Sequence, residues 1–130
     1  MTEERLKRIH RNNVRMKILS DKYREKRYHA VSSEINMTGM PSGSSGVDST
    51  MSDIEELADI EAEYRKLYYE NELLIKEARR YIAQFPDATL GMILELIYIN
   101  GMDEWDASLE TGIQYKTIVS ILHVHWNNIF

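Results

Sequence analysis

The sequence predicts an all-α protein: a long helical hairpin or coiled-coil stalk, followed by a C-terminal three-helix unit that resembles a helix-turn-helix. Three observations predict this class. Residues 3–29 contain no Gly or Pro and are rich in helix formers. Between residues 52 and 85, apolar side chains recur with a heptad spacing. After Pro86, short segments with helical apolar spacing are separated by glycines, which favour helix ends and tight corners.

The N-terminal segment, residues 1–30, is predicted to form one basic helix. It carries ten Lys/Arg against four Asp/Glu, whereas residues 31–86 carry five against eleven and residues 87–130 one against six. This asymmetry indicates either internal pairing with the acidic segments or a polyanionic partner. Arg8, Arg11 and Arg15 are therefore candidate phosphate contacts, and the alternative is a solvated or internally paired face.

Residues 31–51 are predicted to form a flexible linker between the first two helices. Within them, the sequence TGMPSGSSGVDST combines three glycines and a proline with several Ser/Thr. Such a composition buries too little apolar surface to offset the entropy of ordering.

A long heptad helix is predicted over residues 52–85, beginning near Asp53 and ending before Pro86. Its seam alternates three- and four-residue steps over four repeats, which is typical of a coiled coil. The seam comprises Leu57, Ile60, Tyr64, Leu67, Asn71, Leu74, Ala78, Tyr81 and Phe85.

Asn71 is the strongly polar residue of this seam, and two partners suit it. In an antiparallel hairpin, Asn71 faces Asn13, which lies among the apolar residues of the first helix, and Tyr23 then faces about Ile60 or Glu61. In a coiled-coil homodimer, Asn71 faces its counterpart in a second subunit. Either arrangement fits the known use of buried asparagine to set helix register, and the sequence does not choose between them.

The C-terminal unit, residues 86–130, is predicted to contain three helices. Asp87 caps a helix from about Ala88 to Ile99, which Asn100-Gly101 ends. Asp103 caps a short helix to about Thr111. Gly112 then allows a sharp corner before a last helix from about Tyr115 to Asn127. A short helix, a glycine corner and a second helix form the helix-turn-helix pattern, although an ordinary pair of packed helices fits the same spacing.

Several functional classes are not expected from this composition. The chain lacks cysteine, which excludes disulfides and thiolate metal sites. His123 and His125 are two residues apart on a helix and cannot share a metal ion, so no metal site or cofactor is expected. No nucleophile, base and orienting group stand together, so enzymatic activity is not expected. A charged N-terminus without an apolar run, and no segment long enough to span a membrane, favour a cytoplasmic protein without membrane contact.

The order of these segments resembles a family of phage and prophage proteins of Gram-positive bacteria, similar to the RinA- and ArpU-type late-gene transcriptional regulators. The residues that carry the resemblance are Met40–Gly46 and Tyr98–Leu122, including the sequence YING followed by Trp105. In that family the C-terminal unit resembles the DNA-binding helix-turn-helix of sigma-factor region four. The resemblance implies that residues 103–111 form the supporting helix and residues 115–125 the recognition helix.

A phage-encoded transcriptional regulator is therefore expected, binding double-stranded DNA or the host RNA polymerase through its C-terminal unit. The candidate groove contacts on the last helix are Tyr115, Lys116, Thr117, Ser120 and His123. The unit departs from the pattern in carrying a single lysine, whereas affinity for DNA rests largely on neutralised phosphates. The alternative is a helical adaptor without DNA contact, which docks on a host or phage protein through its acidic C-terminal unit.

Overall fold

The structure, a computed structural model, describes residues 1–37 and 44–127, with side chains described for residues 1–28 and 51–127. This described part is all-α, as the sequence predicts, and contains no strand. Its helices are α1 (Glu3–Met37), α2 (Ser44–Ala83), α3 (Ala88–Leu94), α4 (Glu104–Thr111) and α5 (Tyr115–Asn127), with a π-helical turn, Glu95–Ile99, directly after α3. The chain divides into two compact units: unit 1 combines Met1–Asn12 with Asn71–Phe130, and unit 2 is Asn13–Glu70.

The first two helices extend into the predicted linker, residues 31–51, so both of its predicted boundaries are wrong. α1 continues to Met37, and α2 already begins at Ser44. Residues 31–37 lack Gly and Pro, and extending an existing helix needs no new nucleation step. A glycine within a helix, such as Gly46, costs about 1 kcal/mol relative to alanine but does not break the helix. Residues 38–43 lie outside the described residues, and the flexibility of the linker stays a prediction.

Unit 1 has one apolar core, to which the start of α1, the end of α2 and all later helices contribute. Its buried members are Leu6, Ile9, Leu74, Ala78, Ile93, Leu94, Tyr98, Ala107, Ile118 and Leu122. The prediction that residues 86–130 form a unit by themselves is therefore too narrow. Three short helices offer little surface against which to bury their own apolar faces, because the buried fraction of a chain decreases with its length. The ends of α1 and α2 supply the missing cover.

A buried asparagine pair links α1 and α2 in unit 1, in which Asn71 is bonded to Asn12, the residue directly before the predicted Asn13. The Asn12 Nδ2 donates a hydrogen bond of 2.9 Å to Asn71 Oδ1, and Asn71 Nδ2 donates to the Ile9 carbonyl at 3.2 Å. Asn13 is exposed. Counting back from Tyr23 along α1 in alternating steps of four and three reaches residues 19, 16, 12 and 9, so Asn12 lies in the buried row of this helix.

Antiparallel pairing of α1 with α2, as the hairpin predicts, is found in each unit. In unit 1, Arg5 and Glu77 form an ion pair of 2.6 Å. The hydrogen bond from Arg5 holds the pKa of Glu77 below its ordinary value.

In unit 2, Arg15 pairs with Glu63 at 3.0 Å, and Lys26 pairs with Glu56. Tyr23 lines a cavity together with Ile60 and Glu61, the neighbours that the sequence predicts. The basic side of α1 thus contacts acidic residues of α2, and such exposed pairs each contribute about 0–1 kcal/mol.

Burial of the predicted seam differs between the units. In unit 1, Asn71, Leu74 and Ala78 are buried, and Tyr81 is half-buried. In unit 2, the seam residues Leu57, Ile60 and Leu67 are only half-buried, and Tyr64 is 38% exposed. The coiled-coil homodimer therefore stays a prediction, for which the exposed part of this seam is the relevant surface.

The ends of the helices after Pro86 follow from single polar or glycine residues. Asp87 Oδ1 accepts hydrogen bonds from the backbone N–H groups of Thr89 and Leu90, which confirms the predicted cap of α3. Asp103 Oδ1 accepts from the N–H of Asp106 at 2.7 Å and caps α4. These contacts satisfy N–H groups that have no partner within their helix.

The helix predicted from Ala88 to Ile99 changes character at Glu95, where the backbone takes up a π-helical turn. The Asn100 N–H donates to the Glu95 carbonyl, five residues earlier, at 3.0 Å. Gly101 follows with a left-handed φ of 75° and ends the segment. Within this turn Tyr98 is directed into the core, where it is 6% exposed.

Gly112 lies at the corner between α4 and α5 with a φ of 76°, in the left-handed region that favours glycine. The N–H of Gly112 donates to the Ser108 carbonyl at 2.9 Å. The Ser108 hydroxyl donates to the carbonyl of Ile113 at 2.5 Å. The predicted pair of short helices on either side of Gly112 is confirmed, and the corner is held by hydrogen bonds from within α4.

Candidate nucleic-acid interface

α5 presents two faces of different chemistry. Its inward face contributes Ile118 and Leu122 to the core of unit 1. Its outward face carries the exposed side chains of Lys116, Ser120, His123 and Asn127, spaced by four, three and four residues. α5 contains no Asp or Glu; the six carboxylates of residues 87–130 all precede it. The outward face therefore offers hydrogen-bonding groups and one positive charge, and α5 itself contributes no carboxylate that would repel an anion.

The C-terminal end of α5 is fixed by polar contacts to two tyrosines. The Trp126 Nε1–H donates to the Tyr98 hydroxyl at 2.9 Å, and the rings meet edge to face. The Tyr81 hydroxyl lies 2.8 Å from Nε2 of His125. Burial, only partly offset by the hydrogen bond from Trp126, raises the pKa of Tyr98 to about 12, so its hydroxyl stays protonated. Together with the buried Ile118, these contacts set the orientation of the outward face.

A groove of about 620 Å³ runs beside α5 within unit 1. One wall carries Lys7, His10 and Arg11 from the start of α1, and another carries His123 and Asn127 from α5. Acidic side chains also border it, namely Glu3, Asp103 and Glu104. Arg11, from the predicted arginines of α1, and His123, from the predicted contacts on α5, thus line the same groove.

The predicted contacts on α5 are all exposed. Lys116, Thr117, Ser120 and His123 lie on or beside the outward face. Tyr115 is 43% exposed, and its ring lies 5.9 Å from that of Trp105.

The predicted arginine ridge on α1 divides between the units. Arg8 and Arg11 are exposed in unit 1, where Arg11 pairs with Glu4 at 3.3 Å. Arg15 belongs to unit 2 and pairs with Glu63. The structure therefore joins Arg11 to the groove, whereas Arg15 is engaged with α2, which is the internal pairing that the sequence offered as the alternative.

Three residues of this surface were missed by the sequence analysis. Lys7 lies one helical turn before Arg11, and His10 lies directly before Arg11; both line the groove. Asn127 continues the four-three-four spacing of the outward face, which is the signal that could have identified it. Its amide nitrogen lies 2.9 Å from Nδ1 of His123. Nothing local in the sequence identifies Lys7 and His10, because their role depends on a contact more than 100 residues away.

His125 sits among aromatic rings rather than on the outward face. The ring centroids of Trp126 and Phe85 lie 4.6 Å and 5.0 Å from its own. Burial lowers the pKa of His125 from the ordinary value of 6.5. The folded protein therefore binds a proton at His125 less readily than the unfolded chain does.

Acidification is expected to destabilise unit 1 through His125. Because the folded pKa is depressed, the unfolded chain takes up the proton first as the pH falls below 6.5, and the free energy of unfolding then decreases until the folded pKa is passed. Urea unfolding between about pH 7.5 and about pH 5.5 measures this slope. His125→Gln should flatten it, whereas the exposed control His123→Gln should keep it. An unchanged slope in His125→Gln contradicts the assignment.

The described residues contain neither a metal-binding cluster nor a membrane-spanning helix. In that part of the chain, no group of three or more His, Asp or Glu is placed to hold a metal ion. No helix there combines the length and the apolar character needed to cross a bilayer.

Comparison of the chain with known proteins found no matching family model, no matching curated protein and no matching solved structure.

Proposed function

We propose that this protein is a DNA-binding regulator of transcription, of the phage type that its sequence resembles, in which α5 enters the major groove. The observation that carries the proposal is the outward face of α5, which is polar, exposed and free of carboxylates. Its 13 residues form a helix about 20 Å long, and the major groove of B-DNA is wide enough for one α-helix. Gly112 joins it to α4 as the corner of a helix-turn-helix.

The side chains of the outward face suit contacts in a groove. Lys116 can contact a phosphate or guanine, Asn127 can bond adenine, and Ser120 can bond several bases. His123 adds two ring nitrogens. The C-terminal unit supplies few cations of its own, so the start of α1 supplies the rest. Lys7, with Arg8 and Arg11, would then contact the DNA backbone, which fixes position but carries no sequence information.

The salt dependence of duplex binding tests this proposal. Fluorescence anisotropy with a labelled duplex of mixed sequence, starting at low salt, should give a log–log slope of about −0.9 for each phosphate neutralised. Lys7→Ala/Arg11→Ala should weaken binding and reduce the slope by about 2, or about 1 for each lost contact. Lys76→Ala/Arg80→Ala, an exposed Lys/Arg pair with the same spacing on α2, removes the same charge and is the matched control.

Two outcomes contradict DNA binding. One is that no duplex binds even at low salt. The other is that the control pair weakens binding as much as Lys7 and Arg11 do, which would indicate attraction by overall charge alone.

The alternative function is a helical adaptor that docks on a host or phage protein through its acidic C-terminal unit, without touching DNA. The observation that favours it is the charge of residues 87–130, which carry six carboxylates and one lysine. A surface of that sign repels DNA and attracts basic proteins. Absence of duplex binding in the salt series, with an intact fold, supports the adaptor.

A further inference from the structure

The solvent face of α4 carries apolar and acidic side chains in two parallel rows. Trp105 and Leu109, one turn apart, are 60% and 70% exposed. Asp106 and Glu110, also one turn apart, are exposed beside them. The opposite side of the helix packs into the core of unit 1 through the fully buried Ala107. We call Trp105, Asp106, Leu109 and Glu110 the α4 face.

Folding does not account for this arrangement. Large apolar side chains left in water contribute little to stability, since the hydrophobic gain comes from burial. Two carboxylates spaced four residues apart on a helix repel each other. The ring of Tyr115, 5.9 Å from that of Trp105 and 43% exposed, enlarges the apolar row. Together Trp105, Leu109 and Tyr115 form an exposed apolar cluster of the kind that marks interaction sites.

The chemistry of the α4 face identifies the partner that fits it. Trp and Tyr are the residue types most enriched at energetically important positions of protein interfaces. The carboxylates of Asp106 and Glu110 make the α4 face negative, and α4 itself contains no Lys or Arg. Phosphate groups of DNA and of anionic lipids are repelled by such a surface. A segment with one apolar and one basic face complements it.

We propose that the α4 face is a docking surface for a basic amphipathic helix of another protein. The apolar face of that helix covers Trp105 and Leu109, and its Lys or Arg side chains pair with Asp106 and Glu110. This interaction is distinct from the DNA contact proposed for Lys116, Ser120, His123 and Asn127, because its principal side chains belong to α4 and carry the opposite charge. The protein would then hold a duplex and a protein partner at the same time.

A synthetic peptide serves as the probe. A labelled helical peptide of Leu and Lys, about 18 residues long with all leucines on one face, is titrated with the full chain and followed by anisotropy. It should bind, and a peptide with every Lys replaced by Glu should not. A peptide of the same Leu/Lys composition, scrambled so that no apolar face remains, should also fail to bind. Equal binding of all three peptides overturns the proposal.

Two pairs of variants locate the site. Trp105→Ala/Leu109→Ala should weaken binding by about tenfold or more. Its control is Tyr69→Ala/Leu73→Ala, an aromatic and a leucine of similar exposure and spacing on α2, which should leave binding unchanged. Asp106→Asn/Glu110→Gln should weaken binding and reduce its salt dependence, whereas Glu55→Gln/Asp59→Asn, with the same charge change, should not. Equal loss in a variant pair and its control overturns the proposal.

Other occupants of the surface give distinct results. If sedimentation shows that wild-type protein is a dimer and that Trp105→Ala/Leu109→Ala is a monomer, the occupant is a second copy, and the proposal is wrong. If wild-type protein binds phosphatidylcholine vesicles and Trp105→Ala/Leu109→Ala does not, the occupant is a lipid surface, and the proposal is again wrong. Duplex affinity should be retained by Trp105→Ala/Leu109→Ala, and peptide affinity by Lys7→Ala/Arg11→Ala. Failure of the DNA proposal and failure of this one are therefore distinguishable.

Discussion

Replacing Asn71 by leucine is expected to lower the free energy of unfolding by about 1–3 kcal/mol, the cost of leaving a buried polar group without its partner. Asn71 is 3% exposed and Asn12 is 8% exposed. The substitution removes the acceptor of the 2.9 Å hydrogen bond from Asn12 Nδ2 and leaves that amide group buried. Urea unfolding, followed by helical circular dichroism, measures the change.

The double variant Asn12→Leu/Asn71→Leu distinguishes loss of a partner from loss of the residue itself. Replacing both amides with apolar groups should recover most of the stability, so the two changes should show a coupling of about 0.5–3 kcal/mol. Additive effects of the Asn12 and Asn71 changes contradict the hydrogen-bonded pair.

Replacing Gly112 by alanine is expected to destabilise unit 1 by about 1–2 kcal/mol, the cost of placing an L-residue in the left-handed region. A Cβ at Gly112 meets no atom within 4 Å, so the effect isolates the backbone conformation from steric clash. Gly112→Asn should cost less, since asparagine visits this region more readily. Thermal unfolding of the three proteins should rank them as Gly, Asn and Ala in decreasing stability.

Gly91 is the matched control for the corner. It lies within α3, and a Cβ there would be 3.5 Å from Cγ2 of Ile82, an ordinary contact. Gly91→Ala should therefore not destabilise the protein, and it should add up to about 1 kcal/mol through helix propensity. If Gly91→Ala lowers the stability as much as Gly112→Ala does, the left-handed backbone at Gly112 is not the cause of the loss.

Local signals in the sequence were sufficient for much of the fold. The caps at Asp87 and Asp103 and the corner at Gly112 are predicted by residue type, because one carboxylate or one absent Cβ decides the backbone there. Periodicity predicts the paired faces of α1 and α2. It does not distinguish Asn12 from Asn13, since each lies three or four residues from Ile9 and Met16. Only the strict alternation along the seam separates them.

Composition predicts the fold less well where it favours a linker but helix extension favours a longer helix. The Gly, Ser and Pro residues of positions 31–51 favour a linker, yet helix extension brings α1 to Met37 and starts α2 at Ser44. The π-helical turn at Glu95 has no local sequence signal. It accompanies the packing of Tyr98 against Trp126, which lies 28 residues further along the chain.

The candidate interface shows the same division between local and long-range information. Helical spacing predicts the outward face of α5 up to His123, because the apolar positions of an amphipathic helix indicate which of its sides is buried and which is exposed. The contribution of Lys7 and His10 depends on which helix start packs beside α5, and this is set by the shared core of unit 1. The sequence does not identify the α4 face, because the spacing of Trp105 and Leu109 is that of the buried side of an ordinary amphipathic helix. Only the structure shows that both side chains are exposed.

Backbone amide NMR spectra recorded during titration with duplex DNA test the central claim most directly, because they locate contacts residue by residue in the intact chain. The proposal predicts the largest shifts at Lys116, Ser120, His123 and Asn127, with a second group between Lys7 and Arg11. The amide signals of Trp105 and Leu109 should not shift. Shifts confined to α4, or none at low salt, would contradict the assignment of α5 as the DNA-reading helix.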